Sequence, residues 1–108
     1  MKLSPNAIIS ERKLTEYLLN YRKRNDKSLW LLKVGYHTEN WNRLERDKRS
    51  QLLTLEAVFV EENQFGIVYE ITGKLNGPNN KSLNVRSIWM KEYESELTKF
   101  ITMYPFKE

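Results

Sequence analysis

Two runs near the end of the chain, Ser82-Leu-Asn-Val-Arg-Ser-Ile-Trp-Met90 and Leu97-Thr-Lys-Phe-Ile-Thr-Met-Tyr-Pro105, hold the side chains whose types and spacing best suit chemistry. Both alternate and are rich in β-branched and aromatic residues, which predicts adjacent strands joined by the charged turn Lys91 to Glu96. Strict alternation along a pleated strand groups Ser87 with Trp89 and, on the neighbour, Phe100 with Thr102 and Tyr104. Arg86 and Lys99 then share the opposite face with Ile88, Met90, Ile101 and Met103. Hydroxyls and aromatics fall on one side, cations and aliphatics on the other. One face covers a core, and the other is free to carry a site.

The rest of the chain narrows the chemistry by exclusion. It has no phosphate loop, nucleophile elbow, dinucleotide fingerprint or helical zinc motif. Glu61 and Glu62 are consecutive, so a strand sends them to opposite faces and they do not form a paired acid and base. With no cysteine and a single histidine, disulfides, thiol catalysis and cysteine-ligated zinc are excluded, and neither a metal nor another cofactor is expected. His37 sits in a turn before the capping Thr38, where a solvent-facing or capping role fits, although histidine is the residue type best suited to exchanging a proton near neutrality.

These residues need a scaffold, and the 108 residues suit one domain over 1–108, with 40% hydrophobic and 30% charged residues as in ordinary globular chains. Ser10 can cap a helix from Glu11 to Leu19, with Leu14, Tyr17 and Leu18 on its apolar stripe. Asp26 can cap a second from Lys27 to Val34, which Gly35 stops. A third runs from Thr38 to about Leu53, its packing face set by Trp41, Leu44, Lys48 and Leu52. Lys48 is the misfit there and is expected to snorkel past its neighbours to water. The opposite side, with Arg43, Glu45, Arg46, Asp47 and Arg49, reads as a solvated face. From Thr54 the period becomes two. Strands are expected over Leu55 to Glu61 and Ile67 to Leu75, joined by Asn63-Gln-Phe-Gly66, and Asn76-Gly-Pro-Asn-Asn80 leads to the two terminal strands. A helical part over 1–53 followed by strands over 54–108 predicts an α+β domain, about three helices packed on a four-stranded antiparallel meander.

Charge divides at the same boundary: residues 1–53 carry twelve Lys and Arg against six Asp and Glu, and residues 54–108 carry six against eight. A basic front half suits a polyanionic partner, and Arg22, Lys23 and Arg24 form an exposed basic cluster between the first two helices. No apolar run approaches a membrane span, and Met1-Lys-Leu-Ser-Pro lacks the apolar core of a signal sequence, so no membrane partner and a cytoplasmic protein are expected.

The pattern Lys13-Leu-Thr-Glu-Tyr-Leu-Leu-Asn20, then Lys27 before an apolar turn ending Gly35-Tyr36, then Asn40-Trp41 and Leu44, resembles a bacterial family of small uncharacterised domains. Tyr69, Leu75-Asn-Gly-Pro-Asn79, Val85-Arg-Ser-Ile-Trp89 and Phe100-Ile-Thr-Met-Tyr-Pro105 continue the resemblance over nearly the whole chain. Such domains occur beside small partner genes and as the toxic tips of polymorphic toxins. Their layout is similar to the superfamily uniting barnase, the EndoU nucleases, the nuclease colicins and RelE-like toxins. The resemblance implies a metal-independent ribonuclease toxin in which the RNA 2′-hydroxyl attacks its own phosphodiester, with RNA and a small acidic antitoxin or immunity protein as partners. It assigns catalytic positions to Lys13, Lys27, Ser87, Thr102 and Tyr104; beside them Arg22, Lys23, Arg24, Arg86 and Lys99 are the cations expected to meet the RNA backbone. Three residues depart from the family pattern: Ser87 replaces threonine, Lys99 replaces arginine and so loses a bidentate phosphate clamp, and Lys48 replaces an aliphatic residue. The alternative is a non-catalytic protein-interaction or RNA-binding module with the same fold.

Overall fold

The computed structural model describes residues 1–19 and 28–106. Strands β1 (Val58–Glu62), β2 (Gly66–Asn76), β3 (Ser82–Glu92) and β4 (Thr98–Pro105) pair antiparallel in chain order. The result is the α+β meander that the change of period predicts. β1 is an edge strand, every residue of it exposed. The other outer edge, along β4, is partly covered by the N-terminal segment: Ile8 donates its N–H to the Thr98 carbonyl and accepts from the Phe100 N–H, both at 2.8 Å.

Among the described residues three helical runs pack on one side of the sheet. The first, α1, is a π-helical turn over Lys13–Leu18, and α2 covers Ser28–Leu32. The third, α3, changes pitch twice along one continuous run: a 3₁₀ turn at Thr38–Asn40, α-helix over Trp41–Asp47, and π-helix over Lys48–Leu52. Leu14 and Leu18 from α1, Leu31 from α2, and Leu44 and Leu52 from α3 are all buried against Ile71, Leu75, Val85, Trp89, Phe100 and Met103 of the sheet. The Trp89 and Phe100 rings meet edge to face, with centroids 5.4 Å apart, the arrangement their quadrupoles favour.

The side of α3 that reads as solvated is not uniformly so. Asp47 is buried, and it accepts hydrogen bonds from the Tyr36 hydroxyl at 2.5 Å and from Arg43 Nε at 2.9 Å. Burial and the Asp47 carboxylate together push the Tyr36 hydroxyl well above its ordinary pKa, so it stays a donor. Arg49 is also engaged: its Nη1 donates to the Ala7 carbonyl at 2.7 Å, which ties the N-terminal segment to α3. Simple charge alternation could not reveal these long-range partners.

The turn at Asn76–Asn80 locks the helical layer to the sheet. Gly35 ends the segment after α2 with φ +98°, a conformation in which side chains are strained. The β2–β3 turn lies directly over it: Asn79 Nδ2 donates to the Lys33 carbonyl at 3.0 Å, and a Cβ on Gly77 would stand 1.9 Å from the Val34 carbonyl oxygen. The Asn-Gly-Pro-Asn motif therefore has a packing reason, since only glycine lets the two backbones approach. Gly77→Ala is expected to lower unfolding stability by roughly 2 kcal/mol, the cost of forcing an extra carbon into a packed contact. A denaturant midpoint equal to that of the wild type would contradict this contact.

Candidate active site on the open face of the sheet

A single extra residue in β4 decides which side chains reach the open face. The β3–β4 ladder pairs Trp89 with Phe100 but Ile88 with Thr102, so Ile101 is a bulge with no partner in the register. Beyond a bulge the alternation is reset, because two residues on one strand face one on the other. Phe100 and Met103 both point to the core, and Thr102 and Tyr104 turn outward with Ile88 and Arg86. This corrects the grouping expected from uninterrupted alternation, which put Thr102 and Tyr104 beside Ser87 and sent Met103 to the side of Arg86. The bulge carbonyl is not orphaned: Lys13 Nζ donates to the Ile101 oxygen at 2.9 Å.

Rows of directly opposed residues cross the open face. Thr102, Ile88 and Glu70 form one row, and Tyr104, Arg86 and Thr72 the next. Asn84 and Lys74 form a third. Arg86 is the hub: its Nε lies 3.4 Å from Glu70 Oε2, and its guanidinium carbon stands 5.9 Å from the Tyr104 ring centroid and 5.1 Å from that of Phe106. All of these side chains are half-buried or exposed. A carboxylate, a guanidinium, a phenol and a threonine hydroxyl thus share one accessible patch. Such a set can accept a proton, hold an anion, donate a proton and orient a ligand.

The residues singled out from the sequence fare differently. Thr102, Tyr104 and Arg86 come together on this face. Lys99 ends nearer the β3–β4 hairpin, where its amine pairs with Glu92 Oε1 at 2.8 Å; this amine and the Ser95 hydroxyl hold the Glu92 carboxyl below its usual range. Ser87 lies on the opposite side, fully buried: its Oγ donates to the Ile71 carbonyl at 2.9 Å and accepts from Trp89 Nε1 at 2.8 Å. Its hydroxyl satisfies the indole inside the core and does not reach the patch. Lys13 braces the bulge next to Thr102. His37 is exposed at the start of α3. Arg22, Lys23, Arg24 and Lys27 lie outside the described residues. Glu70 is the residue that sequence reasoning missed. Its signal was available, a lone acid within the apolar β2 run one row from Arg86, but only the β2–β3 register discloses the pairing. Among the described residues no three His, Asp or Glu side chains converge closely enough to hold a metal ion.

Lys48 behaves contrary to expectation: it does not snorkel. The side chain is fully buried, its Nζ has no hydrogen-bond partner among the described residues, and it lies 2.7 Å from the Phe100 ring centroid and 5.8 Å from that of Trp89. The aromatic faces offer a partial substitute for water. Burial drives its pKa well below that of an ordinary lysine, the charges of Arg49 and Lys13 push the same way, and Glu45 opposes them.

Fold and patch together define an α+β domain with its helices on one side of a meander and a mixed charged, hydroxylic and aromatic patch on the other. The chain belongs to the family described as Domain of unknown function (DUF6883), which matches residues 2–107. No curated protein and no solved structure matches it.

The buried amine generates a stability prediction. An unbranched apolar side chain of similar reach removes the desolvated amine, so Lys48→Met is expected to stabilise the fold by about 1–3 kcal/mol at neutral pH. The sign of the pH effect follows from the lowered folded-state pKa: between that value and the ordinary lysine value the unfolded chain binds more protons, so the stability of the wild type rises with pH. The gap between wild type and Lys48→Met should therefore narrow as pH climbs to about 10.5. Parallel denaturation curves with a constant gap between pH 7 and 10 would contradict it.

Proposed function

We propose that this chain is a metal-independent endoribonuclease toxin of the toxin–antitoxin or polymorphic-toxin kind, working in the cytoplasm and related to the superfamily of barnase, EndoU nucleases, nuclease colicins and RelE-like toxins. The observation that carries the reading is the Glu70–Arg86 pair beside Tyr104 and Thr102 on an accessible sheet face. Glu70 takes the proton of the RNA 2′-hydroxyl as its oxygen attacks the adjacent phosphorus. Arg86 holds the non-bridging oxygens as charge builds on them, and Thr102 orients the phosphate. Tyr104 donates a proton to the departing 5′-oxygen as the P–O5′ bond breaks, leaving a 2′,3′-cyclic phosphate. Lys13 acts through its hold on the Ile101 carbonyl, which keeps Thr102 and Tyr104 turned outward. The basic front half, with Arg22, Lys23, Arg24 and Lys27, supplies the general attraction for the RNA backbone.

One observation favours a second reading, a binding module without chemistry: the charges of Arg86 and Lys99 are each already answered by a carboxylate. The two readings separate experimentally. Total RNA incubated with the protein in chelator should yield fragments with cyclic-phosphate ends. Glu70→Gln and Tyr104→Phe should each lower the cleavage rate by about 10²–10⁴-fold with unchanged circular dichroism. RNA that is bound yet stays intact, including in cell-free translation, would support the module and overturn the ribonuclease.

A cytoplasmic ribonuclease must be restrained, and a small acidic antitoxin or immunity protein covering the Lys13, Lys27 and Tyr104 region is the partner we propose. Charge attraction would then steer its approach, so association should slow several-fold as salt rises and the Debye length falls below about 10 Å. Stopped-flow rates for the neighbouring gene product, measured with wild type and with a Lys13→Glu, Lys27→Glu double variant, test this. A salt-independent rate unaffected by both reversals would exclude occlusion by an acidic partner.

A further inference from the structure

Beside the Arg86 patch, one row further along the sheet, lies a shallow groove lined by Thr72, Gly73, Lys74, Asn84 and Phe106. Nothing in the chemistry proposed above uses it. Phe106 is held there by the backbone: its N–H donates to the Asn84 carbonyl at 2.9 Å, continuing the β3–β4 ladder past Pro105. Its ring stands 5.1 Å from the guanidinium carbon of Arg86, so the aromatic wall of the groove adjoins the cation that would hold the phosphate. Asn84 and Lys74 are directly opposed across β3 and β2, and Thr72 opposes Arg86. The Asn84, Thr72 and Lys74 side chains are all exposed.

We propose that this groove is a nucleobase subsite for single-stranded RNA, in which one base stacks on Phe106 while Asn84 and Thr72 hydrogen-bond its edge. The inference deepens the ribonuclease reading and takes its phosphate position from it. The chemistry of the lining fits a base and its backbone. An aromatic face stacks on any base, a carboxamide offers both donor and acceptor to a base edge, a hydroxyl offers either, and a lysine answers the next phosphate. Position fits too: residues two apart along a strand are separated by about 7 Å, so a base at Asn84 lies within one nucleotide of a phosphate at Arg86. A duplex hides the face and edge that this lining would read. The subsite therefore selects unpaired RNA and places the phosphate beside its base against Arg86, within reach of Glu70 and Tyr104.

The test uses the full chain and a 2′-O-methyl RNA tetranucleotide, which lacks the attacking hydroxyl and cannot be cleaved by the proposed route. NMR titration should shift the Asn84 side-chain amide, and Phe106→Leu and Asn84→Ala should each weaken binding about tenfold while leaving the remaining spectrum folded. Asn42→Ala, on α3, serves as the control and should bind as the wild type. A 2′-O-methyl RNA hairpin that carries the same four nucleotides paired in a long stem should bind without shifting Asn84. Binding that is indifferent to both groove variants overturns the subsite, as does absence of binding at millimolar probe, even if total RNA is cleaved. Groove-dependent binding with no cleavage of natural RNA sustains the subsite and removes the ribonuclease reading instead.

Discussion

The hydrogen bond from Lys13 to the Ile101 carbonyl closes the constraint on which the arrangement of the sheet depends. Ile101 is the added residue in β4, and its carbonyl lies outside the β3–β4 register. An unanswered backbone acceptor in a half-buried position costs about 1–3 kcal/mol, so a bulge there needs a donor from elsewhere. α1 supplies it, and the preceding residues supply Ile8 to the same strand edge. With the bulge in place Met103 fills the core and Thr102 and Tyr104 join Arg86 outside. Without it every side chain beyond Phe100 would exchange faces. The first helix is thus coupled to the side-chain arrangement of the open face through one backbone oxygen.

On the covered side the same strand meets an unfavourable group. Lys48 opens the π-helical end of α3 and lies against Phe100, in the layer where Leu44 and Leu52 occupy the neighbouring positions of the stripe. An ammonium there loses its water and gains only ring faces, an exchange that opposes folding at neutral pH. Both π-helical runs among the described residues begin at a lysine, Lys13 and Lys48, and the charge of Lys13 adds to the cost of charging Lys48. They have opposite outcomes. Lys13 finds a carbonyl at the strand edge, whereas Lys48 is enclosed.

At the centre of the open face two opposite charges, Glu70 and Arg86, are paired. Glu70 and Arg86 are both partly exposed, so their attraction is screened and contributes little to stability. Its value to the proposed chemistry lies in position: an acceptor and a cation are held one row apart next to a phenol, before any ligand arrives. Preorganisation of that kind lets groups act on developing charge without first reorganising. Ser87, by contrast, serves the core, where its hydroxyl satisfies both the Trp89 indole and a strand carbonyl.

Much of the architecture is local and therefore legible in the residues themselves. The helical stripe of Leu14 and Leu18, the switch to period two after Thr54, and the Asn-Gly-Pro-Asn turn specify three helical runs and a four-stranded meander, because hydrophobic period and turn chemistry act over a few neighbours. On β3 and β4, which face each residue takes was legible only as far as Phe100, since a bulge leaves no mark in alternation and this one is braced by a donor 88 residues away. Partners remote in sequence were equally hidden. Asp47 reads as a surface acid until Tyr36 folds onto it, Lys48 as a snorkelling cation until Phe100 and Trp89 enclose it, and Glu70 as a strand residue until the register sets it beside Arg86. Periodicity determines what kind of element forms. The fate of a polar side chain is decided by what the tertiary fold brings within hydrogen-bonding distance, and by whether water can still reach it.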